Sequence, residues 1–260
     1  MKIATFNVNS VKARLDTVLG WFKQAQPDVA CLQEIKCETQ NFPRLEFESL
    51  GYNCAILGQK SYNGVALISK HKIEDIQEGL PGDKSDEQAR YIEGVIATKT
   101  GAVRVASIYA PNGNPPDTDK YPYKLKWMDR LIAHTKKLLA HEEMLVLGGD
   151  YNIIPTADDV YDPAAWAGDA LFKLDTRRKL RQMLNLGLTE AFRACNPKPH
   201  QYTFWDYQAG AWQKDHGIRI DHLLLSPQAA DRLKTCVIDQ KIRGQDKPSD
   251  HVPIWCELAI

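Results

Sequence analysis

The chain of 260 residues lacks any apolar run long enough to cross a membrane. We also expect no cleavable N-terminal signal, because a strand-like apolar run begins at once and Lys2 is the only basic residue there. No low-complexity linker or short repeat interrupts the sequence. We therefore expect a cytoplasmic, monomeric protein that does not associate with membranes, with residues 1–260 forming one domain.

The six cysteines include no C-x-x-C pair, which argues against a zinc site. Four of them, Cys31, Cys54, Cys236 and Cys256, lie in apolar strand-like segments, where cysteine behaves as a small hydrophobic residue. A cytoplasmic location also disfavours disulfides. The cysteines are therefore expected to belong to the core.

An excess of positive charge is also missing, since 33 basic residues balance 33 acidic ones. A nucleic-acid-binding protein of this composition needs a local basic patch. Lys120–Arg130, with interleaved aromatic residues, and Lys173–Arg181 are the candidate segments. Taken alone, each segment is more typical of the solvated face of a helix.

Apolar segments indicate many short strands mixed with a few helices. The predicted helices are Val11–Ala25, Asp119–Leu139 and Asp175–Leu186, the last with Asp175 as N-cap and Gly187 as its stop. Gly58–Gly64 and Lys99–Gly101 are typical of hairpin turns. The mixture predicts packed sheets with helices outside. The predicted strands are Lys2–Val8, Asp28–Gln33, Asn53–Leu57, Val65–Ser69, Ile92–Thr98, Val103–Tyr109, Met144–Gly148, Tyr202–Trp205, Ile218–Ser226, Cys236–Ile238 and Val252–Leu258.

Polar residues recur where these apolar strands begin or end. They are Asn7, Asn9, Glu34, Asp150, Asn152, Asp250 and His251, with Asp221 inside the apolar run Ile218–Leu225. Acids, amides and a histidine at strand ends are the groups that a metal-assisted phosphoester site needs. Such hydrolysis requires removal of up to roughly 20 kcal/mol of barrier, whereas one acid or base supplies only about 3–5 kcal/mol. Several groups and a metal must therefore act together.

Each cluster also has a plainer interpretation. Asn7 and Asn9 suit a turn, and Glu34 suits the N-terminus of a helix. Tyr109 either orients a phosphate or is an ordinary strand-end tyrosine before a Pro-Asn-Gly turn.

The later clusters are harder to explain as structure alone. An Asx turn explains one of Asp150 and Asn152, but not both. Arg219 and Asp221 share one strand face, so an internal ion pair is one interpretation. The alternative is that Asp221 holds the imidazole of His251 and fixes its tautomer.

With these residues identified, the chain resembles the exonuclease III family of DNA-repair nucleases (AP endonucleases), within the endonuclease/exonuclease/phosphatase superfamily. Gly217–Leu224 and Tyr202–Tyr207 favour this branch over lipid or inositol phosphatases. The resemblance implies a mixed α/β (α+β) fold, a four-layered αββα sandwich of two packed mixed sheets flanked by helices. The motifs that carry it are Thr5–Ser10, Gln33–Lys36, Tyr109–Gly113, Asp150–Asn152, Arg219–His222 and Ser249–Pro253.

The resemblance further implies dependence on Mg²⁺ or Mn²⁺ and action on duplex DNA in base excision repair. Such enzymes cut 5′ to abasic sites, clean blocked 3′ ends and digest strands 3′ to 5′. By position, Glu34 would be the principal metal ligand, with Asn7 nearby and Asp250 completing the acidic cluster. Asn9 would bind substrate, and it stands where some relatives carry aspartate, so the number of metal ions stays open.

The same resemblance implies roles in the chemistry. Asp150 would position or deprotonate the attacking water, helped by Asn152. Tyr109 would contact the scissile phosphate. Asp221 would orient His251, which would itself contact the phosphate.

Other residues would hold the DNA. Arg90 and Asn112 would bind neighbouring groups, and the segment Val160–Lys173 would contact the duplex. Phe204 and Trp205 would line the pocket of an extruded abasic sugar or belong to the core. Two other functions stay open: hydrolysis of a phosphorylated small molecule or lipid headgroup, and a catalytically inert DNA-binding module.

Overall fold

A computed structural model of the protein describes residues 1–98 and 101–260. Two residues of the predicted Lys99–Gly101 turn, Lys99 and Thr100, lie outside the described residues. The strands are β1 Lys2–Asn7, β2 Val29–Gln33, β3 Asn53–Leu57, β4 Val65–Ser69, β5 Ile73–Glu78, β6 Tyr91–Thr98, β7 Gly101–Tyr109, β8 Met144–Asp150, β9 Thr189–Glu190, β10 Asp221–Leu225, β11 Leu233–Ile238 and β12 Ile254–Leu258. The helices are α1 Leu15–Ala25, α2 Arg44–Glu48, α3 Lys120–Leu139, α4 Pro163–Trp166, α5 Leu174–Asn185, α6 Ala191–Cys195 and α7 Pro227–Ala230.

The strands form two six-stranded sheets. The first has the order β11-β12-β1-β2-β4-β3, and the second has the order β5-β6-β7-β8-β10-β9. Each sheet is mixed: β1–β2 and β7–β8 are parallel pairs, whereas the neighbouring pairs are antiparallel. The central strand β2 is buried at every position, as expected for a strand covered on both faces.

Alternation along the strands explains the layers. In β1, Ile3 packs into the core between the two sheets, whereas Ala4 and Phe6 face the opposite way, toward α1. The apolar side of α1, with Val18, Trp21 and Phe22, covers that outer face of the first sheet.

The second sheet is covered in the same way by α3. Trp127, Met128 and Leu131 of α3 pack with Leu147 of β8 and Ala106 of β7, and α5 lies against α3. The four-layered αββα arrangement is therefore confirmed. None of the helices within residues 1–98 and 101–260 has both the length and the apolar character of a membrane span.

Several local predictions were wrong. Tyr202–Trp205 is not a strand, and Phe204 makes only isolated bridges to Ile218 and His251. Strand β5 was missed, because its exposed, charged sequence carries no apolar pattern. Asp175 lies in the first turn of α5 and is not its N-cap.

A buried ion cluster fixes the chain just before β10. Arg219 Nε lies 2.9 Å from Asp159 Oδ1, and its Nη1 lies 3.0 Å from Glu190 Oε1. The internal pair between Arg219 and Asp221, one of the two interpretations of the sequence, is therefore absent from the described ion pairs of Arg219. Asp221 instead lies beside His251. Although burial opposes ionisation, Arg219 lowers the pKa of Asp159 and of Glu190 to about 2.

Replacing Arg219 by methionine should destabilise the protein by about 3–5 kcal/mol at pH 7, because the buried Glu190 loses Arg219 and the buried Asp159 keeps only Arg193. Urea unfolding measures this loss. In the native protein, these lowered pKa values contribute stability above pH ~4 that disappears as the pH falls toward 2. This acid-sensitive contribution should be smaller in the variant, because other groups still lower both pKa values. Arg178→Met, which removes the exposed pair with Asp175, should cost less than about 1 kcal/mol. Equal losses in both variants would contradict the assignment.

Candidate active site

The ends of the central strands meet at one rim of the two sheets. In the first sheet, Asn7 ends β1, and Glu34 directly follows the parallel strand β2. In the second sheet, Asp150 of β8 lies directly opposite Tyr109 of β7 on one side and Asp221 of β10 on the other. Because β1 packs against β8, these two groups of side chains converge.

Three of the rim residues adopt left-handed backbone conformations. Asn9, Glu34 and Asn152 have φ values of 42°, 50° and 50°. Such values are uncommon for residues other than glycine, and especially for glutamate. They turn the chain sharply out of each strand, and such conformations cluster at functional sites.

The side-chain amide of Asn7 joins the two sheets at this rim. Its Nδ2 donates to Glu34 Oε1 and to Asp150 Oδ2, both at 2.9 Å. Its Oδ1 accepts from the backbone N–H of Asn9 at 3.0 Å. The side chain of Asn7 thus turns its N–H groups, and not its oxygen, toward Glu34 and Asp150, and its hydrogen bonds orient both carboxylates.

The acidic groups fit a divalent cation. Ligand atoms of Glu34, Asp150 and His251 lie within 4.8 Å of one another. Burial opposes ionisation of Glu34, but Lys36, at 2.8 Å, and Asn7 together lower its pKa. A carboxylate kept ionised at a cavity wall is the kind of oxygen ligand that hard cations prefer.

Asp250 also reaches the cavity and is held by Asn9. The Nδ2 of Asn9 donates to Asp250 Oδ1 at 3.0 Å, and Lys36 Nζ donates to Asn9 Oδ1 at 2.6 Å. Asn9 is therefore engaged on both sides by residues of the site itself.

His251 is held by two acids. Its Nδ1 lies 2.9 Å from Asp221 Oδ2, and its Nε2 lies 3.7 Å from Asp150 Oδ2. Burial opposes protonation, but Asp221 and Asp150 outweigh it and raise the pKa of His251 to about 10. The imidazolium therefore donates to Asp221 through Nδ1 and directs its second N–H toward Asp150.

Asp150 is tuned in the opposite sense. Burial, reinforced by Asp221, raises its pKa to about 7, although His251 and Asn7 oppose the shift. A carboxyl group with a pKa near neutrality is suited to accept a proton from water. Asp150 Oδ1 accepts from the backbone N–H of Asn152 at 2.9 Å, so the Asx turn is present.

The side chain of Asn152 has separate partners. Its Nδ2 donates to the Ala110 carbonyl at 2.9 Å, and its Oδ1 accepts from Asn112 Nδ2 at 3.0 Å. The Asx turn thus explains the presence of Asp150 but not that of Asn152, whose side-chain amide links the loops after β7 and β8.

Tyr109 and Arg90 form the neighbouring wall. The guanidinium of Arg90 lies 4.8 Å from the centre of the Tyr109 ring, and its Nη1 donates to the Tyr109 carbonyl at 3.3 Å. Burial, with Glu34 and Asp150, raises the pKa of Tyr109 well above its ordinary value. Tyr109 is therefore a neutral hydroxyl donor. Beyond it lies a second hollow of about 620 Å³, which Asn112 and Lys120 also line.

Several of these groups line a cavity of about 320 Å³ whose lining is partly polar and partly apolar. The polar lining includes Glu34, Tyr109, Asn112, Asp150, Asn152, Asp250 and His251. The apolar lining is formed by Trp166, Leu171, Phe204, Ile218 and Ile220.

Phe204 therefore lies at the predicted place, with its ring centre 5.0 Å from that of His251. Trp205 belongs to the core, the other place expected for it, where it is 0 % exposed and packs edge-on against Trp212. Ile218 and Ile220 were missed. In an extended segment successive side chains point to opposite sides, so their alternation with Arg219 and Asp221 is the sequence signal that Ile218 and Ile220 share a side opposite to that of the two charged residues.

A two-sheet sandwich with acids, amides and one histidine gathered at a single rim defines a class of hydrolases that act on phosphoesters. The chain belongs to the Endonuclease/Exonuclease/phosphatase family, whose model matches residues 4–251. It is 34% identical over 266 residues to exodeoxyribonuclease III of Haemophilus influenzae, covering 99% of this chain and 100% of that protein. The DNA repair nuclease APEX1 of Danio rerio is 29% identical, covering 100% and 83%.

Solved structures agree. An AP endonuclease from Archaeoglobus fulgidus superposes with a TM-score of 0.95 at 38% identity, covering 100% of both chains. A substituted form of the 3′ phosphatase NExo from Neisseria, bound to a product DNA hairpin, gives 0.96 at 36% identity, also over 100% of both chains. The resemblance to the exonuclease III family is therefore confirmed.

Proposed function

We propose that this protein is a divalent-metal-dependent DNA-repair nuclease that hydrolyses phosphodiester bonds of duplex DNA at abasic sites and at 3′ ends. The observation that carries the proposal is the convergence of Glu34, Asp150 and His251 within 4.8 Å at one rim. The names of the relatives, which include an exodeoxyribonuclease, an AP endonuclease and a 3′ phosphatase bound to DNA, support this substrate.

Glu34 and Asp250 would hold Mg²⁺ or Mn²⁺, with Asn7 fixing the direction of Glu34. The cation would neutralise the phosphate and stabilise the leaving oxygen. Both carboxylates line the same cavity, which supports their acting on one cation.

The remaining groups would act directly on the water and the phosphate. Asp150 takes a proton from the water as it attacks in line with the leaving group, and Asn152 helps to orient that water. His251, kept protonated by Asp221, donates to a phosphate oxygen. Tyr109 donates its hydroxyl to the same phosphate. At a phosphodiester the 3′-oxygen leaves and takes a proton from solvent, so the products are a 3′-hydroxyl and a 5′-phosphate. From a 3′-phosphate they are a 3′-hydroxyl and inorganic phosphate.

The rim around the cavity would bind the strand. Arg90 and Asn112 face the second hollow beside Tyr109 and suit neighbouring phosphates or sugars. Phe204 and Trp166 provide an apolar wall for a sugar turned out of the helix. Asn9 acts through Asp250 and Lys36, which it holds. The affinity for DNA should fall as the salt concentration rises.

The proposal is tested with three duplexes that carry an abasic site, a 3′-phosphate or a plain recessed 3′ end. We expect cleavage or phosphate release with Mg²⁺ or Mn²⁺, none after chelation with EDTA, and recovery when the cation is returned. Inositol phosphates serve as competitors. Strong inhibition by them would favour the small-molecule phosphatase, and binding without turnover of any duplex would favour the inert module.

The family match supports a single domain over residues 1–260. The monomeric state and the cytoplasmic location stay predictions.

A further inference from the structure

A lysine lies fully buried beneath the candidate active site. Lys124, in the second turn of α3, is 0 % exposed. Its Nζ donates to the backbone carbonyls of Asn152 at 2.6 Å, Asn112 at 2.9 Å and Ala170 at 3.4 Å. Three acceptors match the three N–H groups of an ammonium ion.

No carboxylate among residues 1–98 and 101–260 forms an ion pair with this ammonium group. Burial lowers the pKa of Lys124 to about 7, although the more distant Asp150 and Asp169 oppose the shift. An ammonium ion in such a place costs free energy that its hydrogen bonds must offset. An apolar side chain of similar length would fill the space between helix and sheet, but it would leave the carbonyls of Asn112 and Asn152 without this donor. The hydrogen-bond donors of Lys124, and not the volume of its side chain, therefore set it apart from an apolar residue.

The three carbonyls belong to three separate loops of the cavity. Asn112 follows β7, Asn152 follows β8, and Ala170 lies in the loop that leads from Trp166 to α5. The stem of Lys124 lies close against the first loop, since a Cβ placed at Gly113, with φ +89°, would be 2.7 Å from Lys124 Cδ. One side chain thus connects three loops that contribute residues to the cavity lining.

The contacts of Lys124 lead directly to the reacting groups. It fixes the carbonyls of Asn112 and Asn152, whose side chains are hydrogen-bonded to each other at 3.0 Å. The backbone N–H of Asn152 in turn donates to Asp150. Movement of either carbonyl would rotate the peptide planes that set these side chains.

We propose that Lys124 is a positioning residue for phosphodiester hydrolysis, whose ammonium ion holds the loops after β7 and β8 so that Asn112 and Asn152 face the substrate. The inference rests on the proposed nuclease function and adds a residue that touches neither substrate nor metal. Lys124 acts through the two asparagines and, through Asn152, on Asp150.

The first test is Lys124→Met, which keeps the stem and removes the charge and its donors. We expect kcat to fall by about 10²-fold with KM little changed, because misplacement of the water-orienting groups affects the transition state. Circular dichroism and thermal unfolding establish that the variant is folded. Lys137→Met, on an exposed face of the same helix, is the matched control and should keep the native kcat. Should the methionine variant not fold, Lys124→Gln, which keeps one amide donor, takes its place with the same expectation.

The decisive test is a double-mutant cycle with Asn152→Ala. Because Lys124 acts in part through the side chain of Asn152, adding Lys124→Met to Asn152→Ala should lower kcat by a clearly smaller factor than it does in the native protein. Additive losses, or native kcat in a folded Lys124 variant, would overturn the inference. In either case the unsubstituted protein still cleaves DNA. Absence of cleavage by that protein would instead refute the nuclease function itself.

Discussion

Glu34→Gln should reduce metal-dependent turnover by about 10³-fold, since a cation at this site contributes several kcal/mol of transition-state stabilisation. Glutamine has the shape of glutamate and still offers Oε1 to Asn7, so the fold and the strand ends are preserved. What disappears is the negative charge at the cavity wall. Lys36, whose Nζ lies 2.8 Å from Glu34 Oε2, would then add uncompensated positive charge beside the cation.

Two measurements check this expectation. Turnover on the abasic-site duplex should fall, and calorimetric titration with Mn²⁺ should show weakened binding in the folded variant. Glu46→Gln, at an exposed position of α2, removes the same charge elsewhere and should behave as the unsubstituted protein does. A folded Glu34→Gln variant with near-normal rate and metal affinity would refute the metal assignment.

Asp150→Asn should lower kcat by about 10³-fold, within the range that one general base supplies. The pH profile gives the sharper result. Asp150 must be unprotonated to accept a proton, and burial raises its pKa to about 7. In the native protein, kcat should therefore rise with pH up to about 7 and then level off. It should decline again near pH 10, where His251 loses its proton.

The Asp150→Asn variant should lose the rising part of this profile, because asparagine does not titrate. Asp221→Asn is the matched comparison. Asp221 is the group that most raises the pKa of His251, so its loss should move the declining part to lower pH. Because Asp221 also raises the pKa of Asp150, the rising part should persist but move to lower pH as well. Stopped-flow or quench measurements of kcat across the pH range distinguish these outcomes. A rising part that persists in Asp150→Asn would falsify the assignment of the base.

The fold could be predicted from the sequence where the pattern of apolar residues follows the burial of the strand. Strands such as Val29–Gln33 are covered on both sides, so they are apolar throughout and easily recognised. Ile73–Glu78 lies at an exposed sheet edge and carries charges, so nothing in its pattern marks it as a strand. Tyr202–Trp205 has the composition of a strand, but its partners are isolated bridges that depend on the tertiary structure.

The site residues could be predicted where the ends of buried strands could be located in the sequence. Asp150 and Glu34 follow or end buried strands, and parallel strands bring such ends together. The partners of Arg219 could not be read, because Asp159 and Glu190 come from distant segments. The buried Lys124 looked like one more exposed cation in a basic helix, since periodicity does not reveal which lysine faces inward over polar carbonyls.

The amide of Asn7 has one further consequence, because it belongs to the first sheet and grips an acid from the second. The catalytic groups are thus divided between the two sheets, and neither sheet carries a complete set. A shift of one sheet against the other by a few ångströms would keep the backbone hydrogen bonds within each sheet and still abolish activity. Turnover therefore reports how well the two sheets are packed together, and on unfolding it should be lost before secondary structure is.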